Sequence, residues 1–128
     1  MRDLRSAWLF LFLLLPLLVG SAEPPRIAVA CSEPDVDAEI SQRAARAPYI
    51  LIFDHEANLV ETLDNRDVQA GGAGLQTAGL LQGKEVTHFV ATRFGPNLIR
   101  GLEAAGIEYV EMEGSAQEAV RELLDLED

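Results

Sequence analysis

The chain has 128 residues and a formal charge of −11, with 21 acidic against 10 basic side chains. That balance argues against a nucleic-acid partner, because binding a phosphate backbone rests on clustered Lys and Arg that release counterions. A single cysteine, Cys31, rules out an internal disulfide, and the length leaves room for one domain of ordinary size.

Arg2 and Arg5 open the chain, and Ser6 to Ala22 then carries no charge. Within that stretch Ala7 to Val19 is a Leu- and Phe-rich run of 13 residues, a signal-peptide length and short for a membrane span. Gly20-Ser21-Ala22 puts small residues where a signal peptidase inspects, so residues 1–22 are predicted to be a signal peptide cleaved before Glu23. The protein is then periplasmic or secreted, with membrane association only through the export signal. The competing expectation is an uncleaved N-terminal anchor; Pro16 and the small residues favour cleavage. Cleavage leaves residues 23–128 as the domain, and the loss of two Arg and one Asp takes the charge to about −12. Such a field repels a small anion at long range, so any anion site must come from local dipoles.

After the Pro24-Pro25 leader, Ile27-Ala28-Val29-Ala30 reads as a short buried strand. Ser32 to Glu39 is acidic and turn-rich, a surface loop without the spacing of a calcium loop. Tyr49 to Phe53 is a second strand and Leu59 to Leu63 a third. The short Asp- and Asn-containing linker between them makes an antiparallel hairpin. Gln69-Ala70-Gly71-Gly72-Ala73-Gly74 reads as a glycine-rich loop leading into a helix with Leu75, Ala78, Gly79 and Gln82 at helical spacing and Gly83 as its stop. Val86 to Ala91 is a fourth strand. A helix from Pro96 to Gly106 then carries Leu98, Leu102 and Ala105 on its apolar face. Ile107 to Met112 gives a fifth strand, and Ser115-Ala116-Gln117-Glu118 reads as a capping box opening a last helix with Val120, Leu123 and Leu124. The order β-β-β-α-β-α-β-α implies an α/β fold around a mixed five-stranded sheet. Strands one, four and five are parallel, and the hairpin extends one side.

The starts of the first two helices are the places where chemistry is expected. Gly71, Gly72 and Gly74 let backbone approach a ligand and aim free N–H groups at it, with the helix dipole adding partial positive charge. The Gly95 turn and Asn97 open the next helix, and the two helix starts become neighbours if strands one and four are adjacent, since ligands in open sheets gather outside the C-terminal strand ends. Cys31 ends strand one at the same edge. It is a candidate metal ligand, although a lone cysteine is more commonly a small apolar filler. His55 and His88 lack metal-ligand spacing, and strand one carries no carboxylate for a metal-dependent nuclease.

Ile27-Ala28-Val29-Ala30, the stretch Val36 to Ser41, Arg46-Ala47-Pro48-Tyr49, the Gly71–Gly74 loop, Gly95-Pro96-Asn97 and Ala105-Gly106-Ile107 occur in an order and spacing that resembles the dinitrogenase iron-molybdenum cofactor biosynthesis family. The resemblance implies a ribonuclease-H-like fold and a non-catalytic protein that carries an iron-molybdenum-type cofactor or a molybdenum-sulfur cluster. It places the site in the segment after the first strand, often written Ser-x-His-Phe-Gly-Arg-Ala, and in the glycine-rich loop. Here that segment reads Ser41-Gln42-Arg43-Ala44-Ala45-Arg46-Ala47, with Arg43 where many members have His. A guanidinium stays charged and has no lone pair for a metal, but Arg43 and Arg46 can grip an anion through paired N–H donors. The expected function is therefore an exported, non-enzymatic binder of a small anionic metal cofactor or oxyanion. The alternative is a protein-interaction or sensory module that kept the scaffold and lost the cofactor.

Overall fold

Ile27–Cys31 forms β1, five consecutive buried residues, and such a strand has to lie inside a sheet with both faces covered. In the computed structural model, which describes residues 24–66 and 73–126, β1 is the central strand. It pairs antiparallel with β2 (Tyr49–Phe53) and parallel with β4 (His88–Ala91). The other strands are β3 (Leu59–Asp64), antiparallel to β2, and β5 (Glu108–Glu111), parallel to β4. The sheet order is β3-β2-β1-β4-β5, the mixed arrangement read from the sequence. The leader and its cleavage site, together with residues 67–72, lie outside the described residues.

Three helices cover the sheet: α1 (Ala73–Gly83), α2 (Pro96–Ala105) and α3 (Ala116–Leu123). Alternation along the strands sends their side chains into two separate cores. Ala28, Ala30, Ile50, Ile52 and Phe89 pack with Ala78 and Leu81 of α1 and Leu98 and Leu102 of α2. On the other face Ile27, Val29, Cys31, Leu51, Phe53 and Val90 pack with Ala116, Ala119 and Val120 of α3.

Several boundaries and faces depart from the sequence reading. The fourth strand starts at His88 rather than Val86, because the Val86 amide donates to Leu81 O at the end of α1 (3.1 Å) and closes that helix. The fifth strand starts at Glu108, since the Ile107 amide donates to Leu102 O of α2 (2.9 Å). Gly74 belongs to α1 itself and not to a loop. Of the residues read at helical spacing, Ala78 is buried while Leu75 is 67% exposed, and Ala73, Thr77 and Leu81 complete the buried face. Ser115 is the N-cap of α3, but its hydroxyl makes no capping bond. The amides of Ala116 and Gln117 donate to Ala38 O and Val36 O, each at 2.9 Å, so the loop after β1 fills the role expected of the capping box. At α2 the reading holds: Gly95 is the N-cap, Pro96 begins the helix, and Gly106 ends it at φ 75°.

Helices α1 and α2 cross at glycines. A Cβ on Gly74 would stand 2.9 Å from the Leu98 backbone nitrogen, and one on Gly101 would stand 2.8 Å from the Ala78 Cβ. Gly79, on the outer side of α1, meets nothing within 4 Å. Gly74→Ala is therefore expected to destabilise the domain by ~1–3 kcal/mol through overpacking against backbone. Gly79→Ala is expected to stabilise it by ~0.5–1 kcal/mol through helix propensity. Urea denaturation of the two variants beside the parent checks the opposite signs.

Candidate functional site

The segment Ser41–Ala47 crosses the C-terminal ends of β1 and β4 without regular secondary structure of its own, held by backbone. The Ser41 amide donates to Ala30 O at the end of β1 (2.7 Å), and the Thr92 amide beyond β4 donates to Ser41 O (3.0 Å). The Ala44 amide donates to Arg93 O (3.2 Å). Ala44 and Ala47 are buried in the core shared with α1 and α2, which leaves the intervening polar positions at the surface. Asn65, only 6% exposed, clamps the far end: its side-chain amide donates to Ala45 O (3.2 Å) and Ala47 O (2.9 Å), and its backbone amide donates to Pro48 O (2.8 Å).

Three depressions adjoin at this edge. One of about 370 Å³ has Ala44, Ala45, Phe94 and Gly95 along it and Gln42, Arg43, Arg46 and Arg93 around it. A second of about 180 Å³ lies between the starts of α1 and α2, lined by Ala73, Gly74, Gly95 and Asn97 with Arg46 beside them. A third of about 380 Å³ is lined by Arg43, Arg46, Pro48, Asn65 and Arg66. Arg46 touches all three, and none of the described residues lining them is acidic. Four of the eight Lys and Arg residues after residue 22 thus gather at one rim.

The arginines differ in their company. Among the described residues no carboxylate pairs with Arg43, Arg46 or Arg93. Arg66 is held bidentately by Asp64 (Nε–Oδ1 2.9 Å, Nη2–Oδ2 2.6 Å) and lies 5.4 Å over the Tyr49 ring. Those bonds hold the Asp64 carboxyl down to about 2. Phe94 makes an edge contact with Phe89 (5.6 Å) and a tilted one with Tyr109 (5.2 Å), fixing its place in the lining of the first cleft beside Arg93.

Of the residues singled out in the sequence, Arg43, Arg46, Gly74, Gly95 and Asn97 come together here, and the two helix starts lie side by side at Gly74 and Leu98. What requires glycine at position 74 is the helix contact. The Asn97 side-chain oxygen accepts from Arg100 on its own helix. Gly71 and Gly72 lie outside the described residues. Cys31 is not brought to this cleft. It is fully buried in the core against α3, on the opposite face of the sheet from Ala44, and its thiol donates to Val29 O (3.5 Å). Arg93, Arg66 and Asn65 are not singled out by the sequence. Arg93 is reachable by the strand-end argument that picks out Gly95, two residues on, whereas the role of Asn65 depends on a contact 20 residues away in the chain.

Among the described residues, no group of three or more His, Cys, Asp or Glu lies together to hold a metal ion. None of their helices is long and apolar enough to cross a membrane.

Fold and site together define a mixed-sheet α/β domain with an arginine-lined cleft at the C-terminal strand edge. The chain belongs to the dinitrogenase iron-molybdenum cofactor family, whose model matches residues 25–126. Its fold is similar to that of the orange protein from Desulfovibrio gigas in its apo form. Identity there is 27%, over 82% of this chain and 91% of that one, with a TM-score of 0.74. A Thermotoga protein described as NifB is 29% identical over 79% of this chain and 87% of its own, with a TM-score of 0.66. A protein described as a dinitrogenase from Methanocaldococcus jannaschii shares the fold at 16% identity, over 81% of this chain and 91% of that one, with a TM-score of 0.56. No curated protein matches the chain in sequence.

Burial, and secondarily the nearby Asp35 charge, push the Cys31 thiol up to about 12 from 9.0. Cys31 is expected to resist a thiol-modifying disulfide reagent at pH 8 in the native protein and to react at once in 6 M guanidinium, roughly a fully unfolding concentration. The folded state keeps this proton where an unfolded chain gives it up. Stability should therefore fall as pH rises from about 9 toward about 12 and be untouched by this group below that window. Denaturation midpoints for the parent and Cys31→Ala across that range separate the contribution of the thiol.

Proposed function

We propose that this chain is a non-catalytic binding or carrier protein for a small anionic metal species, an iron-molybdenum-type cofactor, a thiometallate or an oxyanion, and that it acts after export. The observation that carries the reading is an arginine-lined cleft, none of whose described lining residues is acidic, on a chain whose net charge is −11. Family membership supports a cofactor of this type as cargo, and the likeness to a protein solved in an apo form supports a group that comes and goes.

The donor set decides how such cargo is held. Guanidinium N–H groups, with first-turn amides of α2 beside them, donate hydrogen bonds and offer no lone pair. The metal therefore keeps its own oxo or sulfido ligands, and the protein grips those ligands. The described lining residues are Gln, Arg, Ala, Phe, Gly, Pro, Asn and Leu, with no Ser, Cys, His or carboxylate to act as nucleophile or base. That supports carriage rather than catalysis.

A second reading, an interaction or sensory module that has lost its cofactor, is favoured by one feature: α1 contains no charged residue, and its outer side shows Leu75 (67% exposed) and Leu80 (40% exposed).

Calorimetric titration of the mature domain with tetrathiomolybdate and with molybdate is expected to show saturable binding. The double variant Arg43→Gln, Arg46→Gln should weaken it by at least tenfold, since charge-assisted hydrogen bonds contribute roughly 1.5–3 kcal/mol each. Absence of binding to both anions would overturn the carrier reading in favour of the interaction module. Export has its own check: protein recovered from the periplasmic fraction is expected to begin at Glu23 by intact mass, and a chain retaining residues 1–22 in the membrane fraction would contradict cleavage.

A further inference from the structure

Arg43 and Arg46 sit three residues apart on one short segment, and both line the cleft of about 370 Å³. Arg93 lines it from a different segment of the chain. It follows Ala91, the last residue of β4, by two positions, and its backbone carbonyl anchors Ala44 at 3.2 Å. The next residue, Phe94, is tied into the aromatic stack with Phe89 and Tyr109, which fixes the backbone from which the Arg93 side chain departs. The Arg93 side chain is exposed, and among the described residues no carboxylate or carbonyl engages its guanidinium.

We infer that Arg93 is the third guanidinium of the site and the residue that makes it prefer a multiply charged anion to a singly charged one. The inference rests on the anion-binding reading above and adds the charge class of the ligand. Three like charges around one cleft repel one another when it is empty, and none of the described residues lining it is an acid to offset them. A monoanion held by Arg43 and Arg46 leaves the charge of Arg93 uncancelled. A dianion or trianion contacted by all three cancels the repulsion as well, so each added negative charge gains more here than it does in water.

The test compares two tetrahedral anions by calorimetry, the dianion tetrathiomolybdate and the monoanion perrhenate, on the mature domain and on Arg93→Gln and Arg93→Lys. The parent is expected to bind the dianion more tightly than the monoanion. Arg93→Gln should lose about tenfold in affinity for the dianion and little for the monoanion, as expected for removal of one charge-assisted contact. Arg93→Lys keeps the charge and should keep most of the preference. Unchanged thermal midpoints show that the fold is intact, because the carbonyl that holds Ala44 is backbone and survives both substitutions. A parent that binds the dianion, with Arg93→Gln binding it equally well, overturns the role of Arg93 and leaves the carrier reading standing. A parent that binds neither anion overturns the carrier reading itself.

Discussion

The segment Ser41–Ala47 has no helix or strand to define it, yet every feature of the cleft depends on where it lies. Its position is set by an exchange of backbone hydrogen bonds with the two central parallel strands: Ser41 takes one bond from each side, Ala30 O below and Thr92 N above, and Ala44 is held by Arg93 O. Those groups at the ends of β1 and β4 have no further strand residue to pair with, and buried backbone groups left unpaired are costly. The segment therefore satisfies the sheet ends, and the sheet ends fix the segment. Arg43 and Arg46 are carried on it as a consequence, with Ala44 and Ala47 pinned below them in the core. Asn65 closes the arrangement by donating to two carbonyls that the irregular turn leaves without a helical or sheet partner.

Electrostatics works at two ranges in this molecule. Viewed from a distance the net charge repels an anion, but at physiological ionic strength that field decays over about 8 Å. Inside that distance of the cleft an anion meets Arg43, Arg46 and Arg93, and none of the described residues lining it is acidic. Acidic side chains cluster instead at places such as the loop Glu33-Pro34-Asp35-Val36-Asp37 and α3, at Glu118 and Glu122. Arg66 is a partial exception, since Asp64 cancels much of its charge while its side chain still forms part of the wall. Among the described residues the uncompensated charge of the site thus comes from three guanidinium groups, which is the local electrostatic basis of the anion-binding proposal.

Much of this is legible in the sequence where the signal is local. The buried runs Ile27–Cys31 and Tyr49–Phe53 and the Pro96 to Gly106 frame mark their elements directly, because apolar runs, Pro at a helix start and Gly at its end report on the residues that carry them. The outer face of α1 is not legible in this way because Ala73–Gly83 has almost no polar contrast between its sides, so spacing alone does not say whether Leu75 or Thr77 points inward. The cap of α3 escapes the sequence for a different reason: the Val36 and Ala38 carbonyls, remote in the chain, reach its amides before the Ser115 hydroxyl does. Arg93 and Asn65 fall in the same category, since their importance comes from lining the same cleft as Arg43 and from bonding the Ala45 carbonyl. The sequence suggests Cys31 through its place at the strand edge, but one residue of alternation sends its side chain to the other face.

An arginine at position 43 offers different chemistry from a metal-ligating side chain, not merely a different strength. An imidazole that bonds a metal must displace a ligand from it and must be neutral, so its grip depends on exchange rates and on pH near 6.5, roughly the histidine range. A guanidinium does neither. It meets the outer atoms of an already complete anion, forms and breaks its contacts by moving a flexible side chain, and remains charged throughout. In the carrier reading proposed above, cargo held this way would arrive with its coordination shell finished and leave with it unaltered. Several donors would then matter more than any single ligand, because binding without a covalent metal bond has to be assembled from more than one contact. The geometry meets that requirement only because the ends of β1 and β4 are adjacent. Their adjacency places the loop arginines and Arg93 around one opening, and a sheet with another strand between them would have separated the same residues into two weak patches.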